Sequence, residues 1–270
     1  MNFHNDEWIM QHVKEHYDEA LKHFSADRII GIFYQGSGNY GLDYEDSDVD
    51  TKLIVAPTFK EIAMNQQPVS TTHIRENNEH IDFKDIRLYM QTFRKQNLNF
   101  LEILFTPYLI VNEKYQAQWN KLVEEREAIA HYSPIRSIKS MQGIAKEKYF
   151  AMEHHYPSRM DWIDKFGYDP KQLHHLLRVK EYLIRYIGGE TYANCLISND
   201  AEHLIEVKRG AYNLADARQL ADEAIKTVDA MCAEFIKTHD DKVNMSVENL
   251  LNDVQYNIMK IAVTDELKEG

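Results

Sequence analysis

Residues 28–56, RIIGIFYQGSGNYGLDYEDSDVDTKLIVA, read as a strand, a glycine-rich turn and a second strand, and they decide the fold. Arg28 to Gln35 is a β-branched and aromatic run, which Gly36 to Gly41 interrupts. Val49 to Ala56 resumes the apolar pattern until Pro57 ends it. A strand that feeds a Gly-Ser turn and then a helix N-terminus presents backbone N–H groups to an anion. Gly36 lets the chain approach phosphate oxygens closely, and the Ser37 hydroxyl can donate as well. Such turns are also common without a ligand, so the turn alone assigns nothing.

Asp48 and Asp50 sharpen it. They stand one residue apart at the start of a strand, which sends both side chains to one face. Adjacent carboxylates repel, and a divalent cation removes the conflict; Mg²⁺ takes a few carboxylates together with phosphate oxygens and water. Two-metal phosphoryl transfer calls for a further carboxylate on a neighbouring element. Asp82, in His80-Ile81-Asp82-Phe83-Lys84-Asp85, is preferred, because Ile81 and Phe83 would turn into a core and leave it on the open face. Asp85 is its competitor, but it precedes a helical pattern and suits an N-cap.

Working outward, Asp6 to Phe24 has the spacing of an amphipathic helix. Phe59 to Met64 suits a short helix, Thr71 to Phe83 one or two strands or a hairpin, and Asp85 to Gln96 a helix. Asn99 to Val111 is apolar enough for a last buried strand or its approach. After Tyr115 strand signals nearly vanish, and prolines and glycines punctuate helical segments up to Thr238. Met245 to Leu267 reads as a final helix or a mobile tail. The expected class is α+β: a mixed-sheet domain over residues 1–120 carrying the candidate metal carboxylates, then a helical domain over residues 121–270.

The net charge of -12, from 43 acidic and 31 basic residues, argues against extensive nucleic-acid contact but leaves room for a local basic pocket. Cys195 and Cys232 lie in apolar helical surroundings and read as buried, reduced thiols. Asn5, Asp6 and Glu7 interrupt any leader, and no run approaches the roughly 20 apolar residues of a membrane span. A cytoplasmic protein with no membrane partner is expected.

Gly36-Ser37, then Asp48-x-Asp50, then a later strand carboxylate, resembles the DNA polymerase beta superfamily of nucleotidyltransferases. The longer pattern Gly36-Ser37-x-x-Tyr40-Gly41 … Ser47-Asp48-x-Asp50 is similar to the YcgL type of bacterial and phage "predicted nucleotidyltransferases". Lys171-x-x-x-His175-x-x-Arg178 and Lys208-Arg209-Gly210 follow in that group's order, over about residues 28 to 238. The resemblance implies transfer of a nucleoside monophosphate from an NTP, ATP favoured, to an acceptor, with pyrophosphate leaving. It implies Mg²⁺, two ions, with Mn²⁺ able to substitute, on Asp48, Asp50 and Asp82. Asp82 would also deprotonate the acceptor, and Gly36 and Ser37 would hold the triphosphate. A small molecule or a protein is preferred as acceptor over RNA, and the oligomeric state is open. The rivals are a nucleotide-binding regulatory module without turnover and an RNA- or tRNA-modifying transferase.

Lys171, His175 and Arg178 share one helical stripe suited to phosphate. A solvated face, with Lys171 and Arg178 paired to acids such as Glu181, is the plain alternative. His174 lies off the stripe. Lys146, with Lys148 as competitor, is the candidate for the β- or γ-phosphate, against an ordinary exposed lysine. Tyr40 packs under the turn or stacks on a base, core packing being preferred. His154 and His155 lack zinc-motif spacing.

Overall fold

The computed structural model describes residues 3–45 and 47–269, the side chains of 158 and 269 excepted. One compact unit falls within residues 1–39, 43–132 and 243–270; a second comprises residues 40–42 and 133–242.

The first unit is built on a five-stranded sheet: β1 (Ile29–Gln35), β2 (Asp50–Val55), β3 (Ser70–Ile74), β4 (His80–Asp85) and β5 (Leu109–Val111). The order is β3-β4-β2-β1-β5, with β2 and β4 parallel and the other pairs antiparallel. The parallel pair needs a crossover, and α2 (Phe59–Ala63) and β3 lie within it. α1 (Asp6–Ala20) starts where the Asn5 side chain accepts from the Trp8 N–H at 2.8 Å. Its Ile9, Val13 and Ala20 pack with Ile32 and Tyr34 of β1, Leu53 and Val55 of β2, and Ile81 and Phe83 of β4. Those residues all lie on one face of the pleat. β1 is buried on both faces, as a central strand covered on both sides must be. β4 instead alternates, its Ile81 and Phe83 inside and its His80, Asp82 and Lys84 on the more open face. That alternation positions the site.

Asp85 caps α3 (Ile86–Arg94) by accepting from the Arg87 N–H, so the N-cap reading of this residue holds. Of residues 99–111, read as a last buried strand or its approach, only the end is strand. The chain forms α4 (Leu98–Leu101), a 3₁₀ turn at Glu102–Leu104 and only then the three-residue edge strand β5. An apolar run without a period does not distinguish buried helix from strand.

The unit continues through α5 (Glu113–Glu124) and α6 (Arg126–Ala130). This unit extends to residue 132 and takes in residues 243–270. The helical unit comprises α7 (Pro134–Ala151), α8 (Met160–Phe166), α9 (Pro170–Ile187), α10 (Tyr192–Leu196), α11 (Ala201–Lys208) and α12 (Leu214–Thr238). The segment 245–267, left open as helix or tail, forms the helix α13 (Met245–Glu269), which packs on α5 and α3 of the sheet unit.

In the helical unit α7, α9 and α12 pack on one another. Ala217, Ala221, Ala224, Val228 and Cys232 give α12 a stripe of small and medium side chains, all buried. Prolines at the first turns of α7 and α9 follow the caps Ser133 and Asp169. Cys195 and Cys232 are buried free thiols, and burial pushes Cys232 up to about 11, which leaves it unreactive. Among the described residues no helix is long and apolar enough to cross a membrane.

Candidate active site

The turn after β1 is a single 3₁₀ turn, Ser37–Tyr40. Gly36 sits at φ +154°, and a Cβ there would come 2.7 Å from the Tyr34 hydroxyl. The Gly38 N–H donates to that hydroxyl at 3.0 Å and the Asn39 N–H to the Gly36 carbonyl at 3.1 Å. Ser37 Oγ lies 3.3 Å from Ser47 Oγ, so the turn is joined to the segment that leads into Asp48.

β2 begins at Asp50, so Asp48 stands outside the strand, and it is exposed. Val49 between them is buried in the core beneath α1, while Asp48 is exposed and Asp50 partly so. Across the parallel pair, Asp50 Oδ1 accepts from the His80 N–H at 2.9 Å. The His80 ring nitrogen is 3.6 Å from the same oxygen.

Asp82 projects from β4 to the same face as Asp50, directly beside Lys52 in the parallel register. Its carboxylate is already occupied. Lys52 Nζ donates to Oδ2 at 2.9 Å, and the Thr72 hydroxyl of β3 donates to Oδ1. Burial raises the Asp82 pKa, but the charge of Lys52 and the bonds from Thr72 and Lys52 outweigh it and hold the carboxyl below its ordinary range. Lys52 and Lys84 both lie over the Phe100 ring, at 4.1 and 4.7 Å from its centroid. Burial pushes the Lys84 ammonium down. The open face thus carries alternating charges, Asp50, Lys52, Asp82 and Lys84. Lys52, Thr72 and His80 were not singled out from the sequence. The period of two would have given Lys52, two residues after Asp50; the other two depend on strand pairing.

Oxygen donors alone, one carboxylate exposed and one partly so, match what Mg²⁺ accepts. Asp48 and Asp50 offer oxygens of that kind, whereas Asp82 would have to give up or share Lys52. The described carboxylate and imidazole groups that do lie close enough to share an ion are elsewhere, at Glu19, His23 and His73.

In the helical unit, Arg178 is buried on α9, with its guanidinium carbon 3.5 Å from the centroid of Tyr40. Its Nε and Nη2 have no hydrogen-bond partner among the described residues. Glu181, the acid considered for it, binds Arg185, Ser198 and the Asn199 N–H instead. Tyr40 is itself buried, in keeping with core packing. Lys208 on α11 is buried too, and its Nζ lies 3.5 Å from the Leu42 carbonyl. Burial, then the neighbouring His174, Lys171 and Arg178, hold His175 well below its ordinary pKa, so it is neutral and not a third cation of the stripe. His174 is neutral as well, pushed by burial to about 3, with Nδ1 on the Leu204 carbonyl at 2.8 Å. Lys146 pairs with Asp229 at 3.0 Å, and Lys148 with Glu147 at 2.7 Å. Trp162 stacks on Phe166, and Tyr168 is fully buried, so these aromatics are packing.

No curated protein matches the chain. Among solved structures, a nucleotidyltransferase-like protein from Exiguobacterium sibiricum is similar at 10% identity, over 84% of this chain and 75% of that one, with a TM-score of 0.31. The sequence matches a family model described as "RNA repair pathway DNA polymerase beta family" over residues 13–181, which include the Gly-Ser turn, all three aspartates and the Lys171–Arg178 stripe. On that match the chain is a nucleotidyltransferase and belongs to the RNA repair pathway DNA polymerase beta family.

Proposed function

We propose that this nucleotidyltransferase moves a nucleoside monophosphate from ATP to a hydroxyl of an RNA acceptor, in a reaction that depends on a divalent metal. The observation that carries the reading is the pair Asp48 and Asp50 at the open end of β2, joined through Ser47 to the Gly36-Ser37 turn. RNA replaces a small molecule or protein as preferred acceptor because the family description names an RNA repair pathway. Asp48 and Asp50 would hold Mg²⁺, or Mn²⁺ in its place; when bound, the metal supplies neutralisation of phosphate charge. The acceptor oxygen bonds to the α-phosphorus as the bond to pyrophosphate breaks. Ser37 and the turn bind phosphate oxygens, and Lys171 and Arg178 recognise phosphate in the helical unit. Asp82 is held ionised and is a weak base, so we assign the acceptor's proton to water and give Asp82 a positioning and charge role. Lys146, committed to Asp229, is given no part.

The test supplies ATP labelled at the α-phosphate, Mg²⁺ and short RNAs with free or phosphorylated ends. Label should enter RNA, and Asp50→Asn should reduce it by on the order of 100-fold or more with the circular dichroism spectrum unchanged. Equal labelling by wild type and Asp50→Asn would overturn the mechanism; label in a small molecule or a protein alone would overturn the acceptor.

The Lys52–Asp82 pair favours a second reading, a nucleotide-binding module without turnover, because it neutralises one carboxylate before any metal arrives. Calorimetric ATP binding without label transfer to any acceptor would select it.

A further inference from the structure

We propose that Glu19, His23 and His73 form a binding site for one zinc-class divalent cation, on the face of the sheet opposite to the aspartates. The pleat sets that separation. Thr72 turns to Asp82, so its neighbour His73 turns to the α1 side, where it lies parallel to the Phe83 ring at 6.1 Å. The His23 ring is 4.8 Å from it. α1 ends at Ala20, but the chain keeps turning, with the Phe24 N–H on the Ala20 carbonyl at 3.0 Å. Glu19 and His23 therefore retain the one-turn spacing that puts two side chains on one side of a helix.

One donor atom from each of the three lies within 4.8 Å of the others, and Glu19 Oε1 is 3.6 Å from His73 Nε2. Ligands at about 2.0 Å from a tetrahedral ion stand about 3.3 Å apart, so the donors lie within about 1.5 Å of ligating separation. Two imidazoles and a carboxylate are a zinc donor set that takes water as fourth ligand. Mg²⁺ and Ca²⁺ prefer oxygen and are poorly served by it. Glu19 and His73 also line a cavity of about 530 Å³, which keeps a side open for that water. Two cations stand nearby. Lys22 pairs with Glu19 at 2.7 Å from an exposed position, the kind of contact that contributes little and is readily exchanged. Arg75 is engaged by Glu79 at 2.6 Å and Glu15 at 3.6 Å. A bound ion would fasten the end of α1 to β3, an edge strand held by β4 alone.

The test titrates Zn²⁺ alone into the tag-free full chain by calorimetry, and Co²⁺ by its tetrahedral absorption. One ion per chain is expected, with the melting temperature raised by about 5 °C at 100-fold excess over Kd. His23→Ala, at an exposed position, and His73→Ala should each weaken binding about 10-fold or more, while Asp48→Asn and Asp50→Asn leave it unchanged. Absence of stoichiometric Zn²⁺ binding, wild-type binding by both histidine variants, or loss of binding in the aspartate variants would each overturn the site. None of these readouts depends on nucleotidyl transfer.

Discussion

Glu79 contributes to the acid sensitivity of the sheet unit. Its carboxylate meets His16 Nε2 at 2.9 Å and Arg75 at 2.6 Å, while His16 Nδ1 reaches the Thr51 hydroxyl at 2.9 Å. Burial raises its pKa, but bonds from His16 and Asn77 prevail and lower it from 4.5 to about 2. A depressed folded pKa gives stability that is complete above the unfolded value and lost as pH falls through the folded one. The window here runs from pH 4.5 down to about 2, and the difference is worth about 3 kcal/mol. Glu79→Gln should flatten the fall in unfolding free energy across that window, read by urea denaturation at stepped pH. Curves parallel to wild type would refute the assignment. Gly36 makes a second prediction at this scale. Its φ of +154° and the Tyr34 hydroxyl 2.7 Å from an added Cβ predict that Gly36→Ala costs about 1–3 kcal/mol and displaces the turn. Thermal denaturation and label transfer should both fall; wild-type values for both would contradict the close approach.

Among the elements, α13 shows how a periodic pattern can be masked by charge. Val247, Leu251, Val254 and Ile258 recur at helical spacing and are all buried, yet the surrounding Asp, Glu and Lys residues suit a tail equally well. The packing decides it: Arg94 of α3 pairs with Glu248 at 2.9 Å, and Glu248 also accepts from the Tyr132 hydroxyl at 2.7 Å. Leu251→Ala should therefore cost about 2–5 kcal/mol, as a buried leucine does, measured as a lower denaturation midpoint. A mobile tail would show no change. The segment 98–111 is the opposite case, apolar without a period, and there the short helix and 3₁₀ turn were not legible.

For the whole molecule, the charge of -12 coexists with three cations, Lys171, Arg178 and Lys208, that all act on His174 in the helical unit. Three phosphate contacts to single-stranded RNA predict a slope of about -2 for log affinity against log salt. Binding measured across a salt series checks this, and a slope steeper than about -4 would mean a broad basic face instead. The sequence by itself determined the strand, turn and strand of residues 28–56 and the family, because these depend on local period and on residues close in the chain. Only the tertiary structure decided that Lys52 and Thr72 occupy Asp82, that His73 meets Glu19 and His23, and that α13 joins the sheet unit. Each of these joins residues from separate elements, and strand register and packing, not local pattern, bring them together.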